Sequence, residues 1–149
     1  GYIHITFTGD LKKAEEAFNR FIDKYQESKY LGLVYQLRGD SYRKRNDYGK
    51  ALENNLRLLQ KKTENVDFDY IYLTNAEMYY RQGKNTEAIK SIENIKNRKS
   101  NMVKYNIIYN RLMTLKEPRK KENWKNLAEA YLKNGFPEEA RAALRKFNR

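Results

Sequence analysis

The sequence predicts an all-α fold, a stack of antiparallel helical hairpins, and three observations carry that expectation. An alanine recurs early in what reads as the second helix of each hairpin: Ala14, Ala51, Ala88 and Ala140. Just ahead of these alanines stand "GDLKKA" (9–14), "NDYGKA" (46–51), "GKNTEA" (83–88) and "GFPEEA" (135–140), each a turn followed by a helix start. Upstream, at helical spacing, a tyrosine lies nine residues before the alanine (Tyr42, Tyr79, Tyr131), a small residue twelve before (Gly39, Ala76, Ala128) and an aromatic sixteen before (Tyr35, Tyr72, Trp124). Facing small residues let two helices approach closely, and the aromatics fill the gap to the next hairpin. At this periodicity they read as core, not as a cofactor box.

The elements follow in order. Residues 1–28 read as the second helix of a first repeat, with Ala14, Phe18 and Phe21 inward. Its partner would be the stub "GYIHITFT", too short to be complete, so the chain reads as a piece cut from a longer protein. A second repeat spans 30–62, a third 69–99 and a fourth 121–147, all within one domain of 1–149. The turns expect positive φ at Gly9, Asn46, Gly83 and Gly135. Asp10 and Asp47 suit helix caps, and Pro137 with Glu138 and Glu139 suits a first turn. The alanine spacing is 37, 37 and then 52 residues. The longer gap leaves room for an extra helix, "NMVKYNIIYNRLMTL" (101–115), in which Val103, Ile107 and Ile108 share a face flanked by Tyr105, Leu112 and Met113. It is either a degenerate half-repeat or an insertion. "KEPRKKEN" (116–123) then forms a basic loop.

This pattern resembles the tetratricopeptide repeat family, most clearly in the fourth copy with Trp124, Leu127, Ala128, Tyr131, Ala140, Leu144 and Phe147. The second copy departs from it at Arg38, where Leu is usual, and at Asn55, where a large apolar residue is usual. The third carries Asn75 in the Leu place. The resemblance covers roughly residues 9–99 and 121–147. It implies a right-handed superhelical solenoid and a protein–protein interaction module, part of a larger scaffold, adaptor or bacterial regulatory protein. A concave groove lined by first helices would hold a peptide or helix of a partner. The groove residues so implied are Gln36, Asp40, Arg43 and Lys44, then Tyr70, Thr74, Glu77 and Arg81, then Lys125, Asn126, Glu129 and Lys133. Arg43 and Arg81 lead, because arginine clamps carboxylates bidentately and is enriched at binding hot spots. The family's carboxylate-clamp subtype needs a Lys, Asn and Arg set that Gln36, Leu37, Asp40, Tyr70, Thr74 and Glu77 do not supply.

Composition narrows the classes. The 149 residues contain no cysteine, which excludes disulfides, thiolate metal sites and a cysteine nucleophile and agrees with a cytoplasmic, reducing setting. A mean hydropathy of −1.02 points to a core of narrow seams, and no apolar run reaches membrane-spanning length. The net charge of +12 is uneven. Residues 101–149 hold 12 of the 31 basic residues and five of the 19 acidic ones, a net +7. That bias expects either a solvated lysine-rich surface or an acidic partner. RNA binding by Lys116, Arg119, Lys120, Lys121, Lys125, Arg141, Arg145, Lys146 and Arg149 is the second functional reading, without a base-reading motif beside them. No catalytic constellation, cofactor or metal is expected. His4 is the single histidine, and Glu15–Glu16 and Glu138–Glu139 sit where the helix dipole already favours acids. Leu144 and Phe147 on the last helix need cover, from a further repeat or from a second copy in a homodimer.

Overall fold

The computed structural model describes residues 8–61, 63, 65–96 and 106–149, with side chains from residue 11 onward. His4, Val103 and Tyr105 lie outside them. The described residues form an all-α helical repeat of eight helices and no strand. The helices are α1 (Thr8–Lys24), α2 (Leu31–Lys44), α3 (Tyr48–Lys61), α4 (Phe68–Arg81), α5 (Asn85–Glu93), α6 (Asn106–Lys116), α7 (Lys121–Lys133) and α8 (Pro137–Phe147). The chain divides inside α4 into two compact units, Gly1–Ile71 and Tyr72–Arg149.

Three of the expected turns share one hydrogen-bonding scheme. After α2, the Asp47 N–H donates to the Tyr42 carbonyl (2.9 Å) and the Asn46 N–H to that of Arg43 (2.9 Å). After α4, Lys84 donates to Tyr79 (2.8 Å) and Gly83 to Tyr80 (3.0 Å). After α7, Phe136 donates to Tyr131 (2.8 Å) and Gly135 to Leu132 (3.2 Å). This paired closure satisfies the orphan carbonyls of a helix end and requires a left-handed residue at its pivot. The pivots have φ of 59° at Asn46, 76° at Gly83 and 81° at Gly135. The hydrophobic contact that accompanies such a closure is present at the last turn, where the Tyr131 and Phe136 rings meet edge to face at 6.4 Å. Asp47 caps α3 through the Lys50 N–H (3.3 Å), and Pro137 opens α8. The expectation at Gly9 and Asp10 is corrected: both residues lie within helix α1, not in a turn ahead of it. Asp67, not anticipated as a cap, accepts from the Tyr70 N–H (3.2 Å) at the start of α4.

The anchor alanines are core: Ala51 and Ala88 are fully buried, and Ala14 and Ala140 nearly so. In the first unit Ile22, Leu31, Tyr35, Leu58 and Ile71 form one cluster, with Val34, Leu59, Val66 and Tyr70 packed on it. In the second, Leu127, Ala128, Tyr131, Ala140 and Ala143 form another, joined by Ile107, Trp124 and Leu144. Leu144 therefore already has cover inside its own unit.

The small-residue positions set what the opposite helix carries. Asn54 on α3 faces Gly39 and donates to the Tyr35 carbonyl (2.7 Å). At the matching places of the third hairpin stand Ala76 and Ser91, and the Ser91 hydroxyl donates to the Tyr72 carbonyl (2.7 Å). In the fourth the pair is Ala128 and Ala143, both buried. As the residue on the first helix grows from Gly to Ala, its partner shrinks from Asn to Ser or Ala.

Helix α6 packs on both α5 and α7. Its Arg111 Nε donates to the Tyr131 hydroxyl (2.6 Å), and in the first unit the equivalent Tyr42 hydroxyl donates to Glu15 of α1 (2.8 Å). Helix α6 thus stands to the α7–α8 hairpin as α1 stands to α2–α3. The basic loop that follows is pinned from α7. The Asn123 amide donates to the Met113 and Glu117 carbonyls (both 3.2 Å), closing the end of α6, and the Trp124 indole donates to the Pro118 carbonyl (2.8 Å).

Candidate functional site

Two kinds of surface come forward. The first is the face of the first helices that the sequence pointed to. On α2, Gln36, Asp40 and Arg43 are half-buried. The Arg43 guanidinium bonds Asp40 Oδ1 at 3.2 Å and donates to the Tyr70 hydroxyl at 3.4 Å. These three residues therefore form one patch, with the guanidinium already oriented. On α4, Arg81 pairs with Glu77 one turn earlier at 3.0 Å, with Arg81 exposed and Glu77 mostly covered. Thr74 is 2% exposed and lies in the interior, where no ligand reaches it. On α7, Lys125 and Glu129 are exposed and Asn126 is half-buried. The structure thus joins Asp40, Arg43 and Tyr70, and separately Glu77 and Arg81. No hydrogen bond or ion pair links Lys125, Asn126 and Glu129 to one another.

The second surface was not anticipated. Between α1 and the α2–α3 hairpin runs a cleft of about 370 Å³, lined by Asn19, Asp23, Arg38, Tyr42, Lys50, Glu53, Asn54 and Arg57. Its organising group is Arg38, at the place where the fourth hairpin has Leu127. Arg38 Nε donates to Asn54 Oδ1 (2.8 Å), Nη1 donates to Asn19 Oδ1 (2.8 Å), and the guanidinium lies 5.0 Å from the centre of the Tyr35 ring. Asn54 is 2% exposed, and its own amide nitrogen is held by the Tyr35 carbonyl and by Asn55 (3.2 Å). Gly39 makes the arrangement sterically feasible, since a Cβ there would stand 2.7 Å from both Asn54 Nδ2 and Asn55 Oδ1. Beside the cleft, Glu15 accepts from Tyr42 and from Arg45. Burial works against the Glu15 charge, but the Tyr42 and Arg45 hydrogen bonds and the Arg45 charge outweigh it, so its carboxyl titrates below the ordinary value. Burial and the same bond to Glu15 raise the Tyr42 hydroxyl.

A cleft of about 310 Å³ occupies the matching place in the second unit, lined among others by Arg111, Trp124, Leu127, Tyr131, Ala143 and Lys146. Its floor is apolar where that of the first is polar. The difference comes from Arg38, a departure from the repeat pattern, and from Asn54, which stands where the third and fourth hairpins have Ser91 and Ala143. Arg38 is the sequence signal for the cleft.

The basic residues of the C-terminal third are partly engaged. Lys116 pairs with Glu93 (3.2 Å), Lys120 with Glu117 (3.7 Å) and Arg141 with Glu138 (2.9 Å), and Lys146 lies over the Trp124 ring. Arg119, Lys121, Lys125, Arg145 and Arg149 are exposed and make no ion pair among the described residues. Among those residues, no group of His, Asp and Glu could hold a metal ion, and no helix is long and apolar enough to cross a membrane.

No family model matches the chain, and no curated protein does. Among solved structures the chain is similar to one described as "MamA MSR-1 C2", at 18% identity and a TM-score of 0.44, covering 95% of this chain and 67% of that one. The helical-repeat assignment rests on the hairpins, their closures and their small-residue contacts.

Proposed function

We propose that the chain is a protein-interaction module, tetratricopeptide-like in its repeats, that captures a peptide or helix of a partner on the polar faces of its first helices. The observation that carries this reading is the Asp40–Arg43–Tyr70 patch. A guanidinium held by a carboxylate on one side and a phenol hydroxyl on the other has lost little further freedom when it takes up an acidic or carbonyl group of a ligand. Glu77 with Arg81 on α4, and Lys125, Asn126 and Glu129 on α7, are further candidate contacts of the same polar chemistry. Thr74, being buried, is left out. Helix α8 leaves Phe147 half-buried, and a further hairpin or a second copy packing there belongs to the same proposal.

The second reading, RNA binding, is favoured by the net +7 of residues 101–149 and by Arg119, Lys121 and Lys125, which make no ion pair among the described residues. One experiment separates the two: a pull-down from lysate at moderate salt, with and without nuclease, using the parent and Arg43→Ala/Arg81→Ala. Protein partners that survive nuclease and are lost from the double variant support the first-helix reading. Capture abolished by nuclease and indifferent to the double variant refutes it and assigns the basic C-terminal third to nucleic acid.

A further inference from the structure

The cleft between α1 and the α2–α3 hairpin has the chemistry of an anion pocket, and we propose that it binds a single carboxylate of a peptide, with Arg38 as the anchoring group. The two acceptors that orient Arg38, Asn19 and Asn54, are neutral amides, so its position is fixed while its charge is not cancelled. No carboxylate pairs with it among the described residues. Two of its five N–H donors are used, and the remaining ones have no partner among the described residues.

The other charges decide which anion fits. Arg57 is paired with Glu53 at 2.9 Å, and Arg45 with Glu15. Lys50 lies over the Tyr42 ring and its charge acts on Glu15. With Glu15 and Arg45 counted among the lining groups, four cations (Arg38, Arg45, Lys50, Arg57) face three carboxylates (Glu15, Asp23, Glu53), an excess of one. One monovalent anion neutralises that excess. A phosphate dianion or a polyanion would meet Asp23 and Glu53 at the walls. The planar guanidinium fork matches the planar carboxylate, which is the geometry of the strong bidentate pairs. The matching cleft of the second unit has Leu127 and Ala143 in place of Arg38 and Asn54 and lacks the anchor. The pocket rests on the protein-interaction reading only in taking a peptide as the carrier of the carboxylate.

The test is a titration of the intact chain followed by nitrogen–proton correlation NMR, reading the Arg38 Nε–H and the Asn19 and Asn54 side-chain amides. Two probes distinguish the source: acetyl-Ala-Glu-Ala-amide, whose carboxylate is a side chain, and acetyl-Ala-Ala-Ala with a free C-terminus. Saturable shifts confined to these three groups with either probe are the expected result, and the stronger probe names the source. Arg38→Leu, which copies the fourth hairpin, should weaken binding by about tenfold or more, read at Asn19 and Asn54, as expected for loss of one charge-assisted pair. Absence of saturable shifts up to about 50 mM probe, well above the millimolar range expected of one such pair, overturns the proposal. So does unchanged affinity in Arg38→Leu, or tighter binding of inorganic phosphate than of either peptide. If Arg38→Leu does not fold, Arg38→Lys decides: retention of charge without the fork should still weaken binding, and undiminished affinity overturns the proposal. The readout sits on Arg38 and its holders, so failure here leaves the Arg43/Arg81 pull-down standing, and the reverse.

Discussion

Replacing Gly39 by alanine should destabilise the protein, against the usual rule for a glycine inside a helix. By propensity alone, Gly→Ala in mid-helix gains about 1 kcal/mol. At this position the new Cβ would lie 2.7 Å from Asn54 Nδ2 and 2.7 Å from Asn55 Oδ1, closer than real contacts allow. Asn54 cannot yield cheaply, because its amide is bonded to the Tyr35 carbonyl and its oxygen receives Arg38 Nε. Moving it leaves a buried amide and a half-buried guanidinium short of partners, at about 1–3 kcal/mol for each group left unsatisfied. With both groups counted and the propensity gain subtracted, the net loss is about 1–5 kcal/mol. The third hairpin shows the compensating change, since Ala76 there faces Ser91, which keeps the bond to the Tyr72 carbonyl. Gly39→Ala combined with Asn54→Ser should therefore recover part of the loss, because a serine keeps the bond to the Tyr35 carbonyl while Arg38 still loses its acceptor and the contact with Asn55 remains. Urea unfolding followed by circular dichroism for parent, both single variants and the pair gives the coupling energy directly. A Gly39→Ala variant more stable than the parent by about 1 kcal/mol would show that Asn54 moves freely and would refute the reasoning.

Two further outcomes follow from the turns and from Glu15. Gly135 has φ of 81°, and a Cβ added there would meet nothing within 4 Å, so Gly135→Ala carries only backbone strain, about 1–2 kcal/mol. Urea midpoints should show Gly135→Asn losing less, as Asn46 already serves at φ 59°. Glu15 ionises more readily folded than unfolded, so its contribution is complete above its unfolded value, ordinarily 4.5, and is lost as pH falls through the lower folded one. Glu15→Gln should accordingly flatten the decline of melting temperature below about pH 4.5, and parallel curves for parent and variant would contradict the assigned bonds.

What was legible in the sequence was whatever local backbone geometry restricts. Positive φ at a helix end admits few residues, so Asn46, Gly83 and Gly135 announced their turns, and buried close contacts admit few side chains, so the anchor alanines announced the seams. Gly9 misled because a glycine is permitted at a pivot without being confined to one. Thr74 misled for a different reason. Ile71, Leu73, Thr74, Asn75, Ala76 and Met78 are all buried, so α4 is covered around most of its circumference, and a template with one solvent-facing stripe does not apply to it. The polar cleft was legible only as mismatches. Arg38 finds its partners 16 and 19 residues away, beyond any local periodicity, and Asn54 is a poor core residue until the carbonyl it serves is known. Polar residues that depart from an apolar repeat pattern are worth reading jointly, as a network, before being read as decay.

The tyrosine that recurs in the hairpins has a property that a stack of unlike neighbours needs. Its hydroxyl gives a proton to Glu15 at Tyr42 and receives one from Arg111 at Tyr131. A phenol is indifferent to the sign of the charge it meets, so the same socket accepts an acidic helix or a basic one without change on its own side. A helix of different sequence and spacing, such as α6, can then precede a hairpin while the joint keeps its form. The hairpins are in that sense interchangeable parts with a standard fitting, and chimeras that exchange the helix preceding each hairpin are the natural way to exploit it.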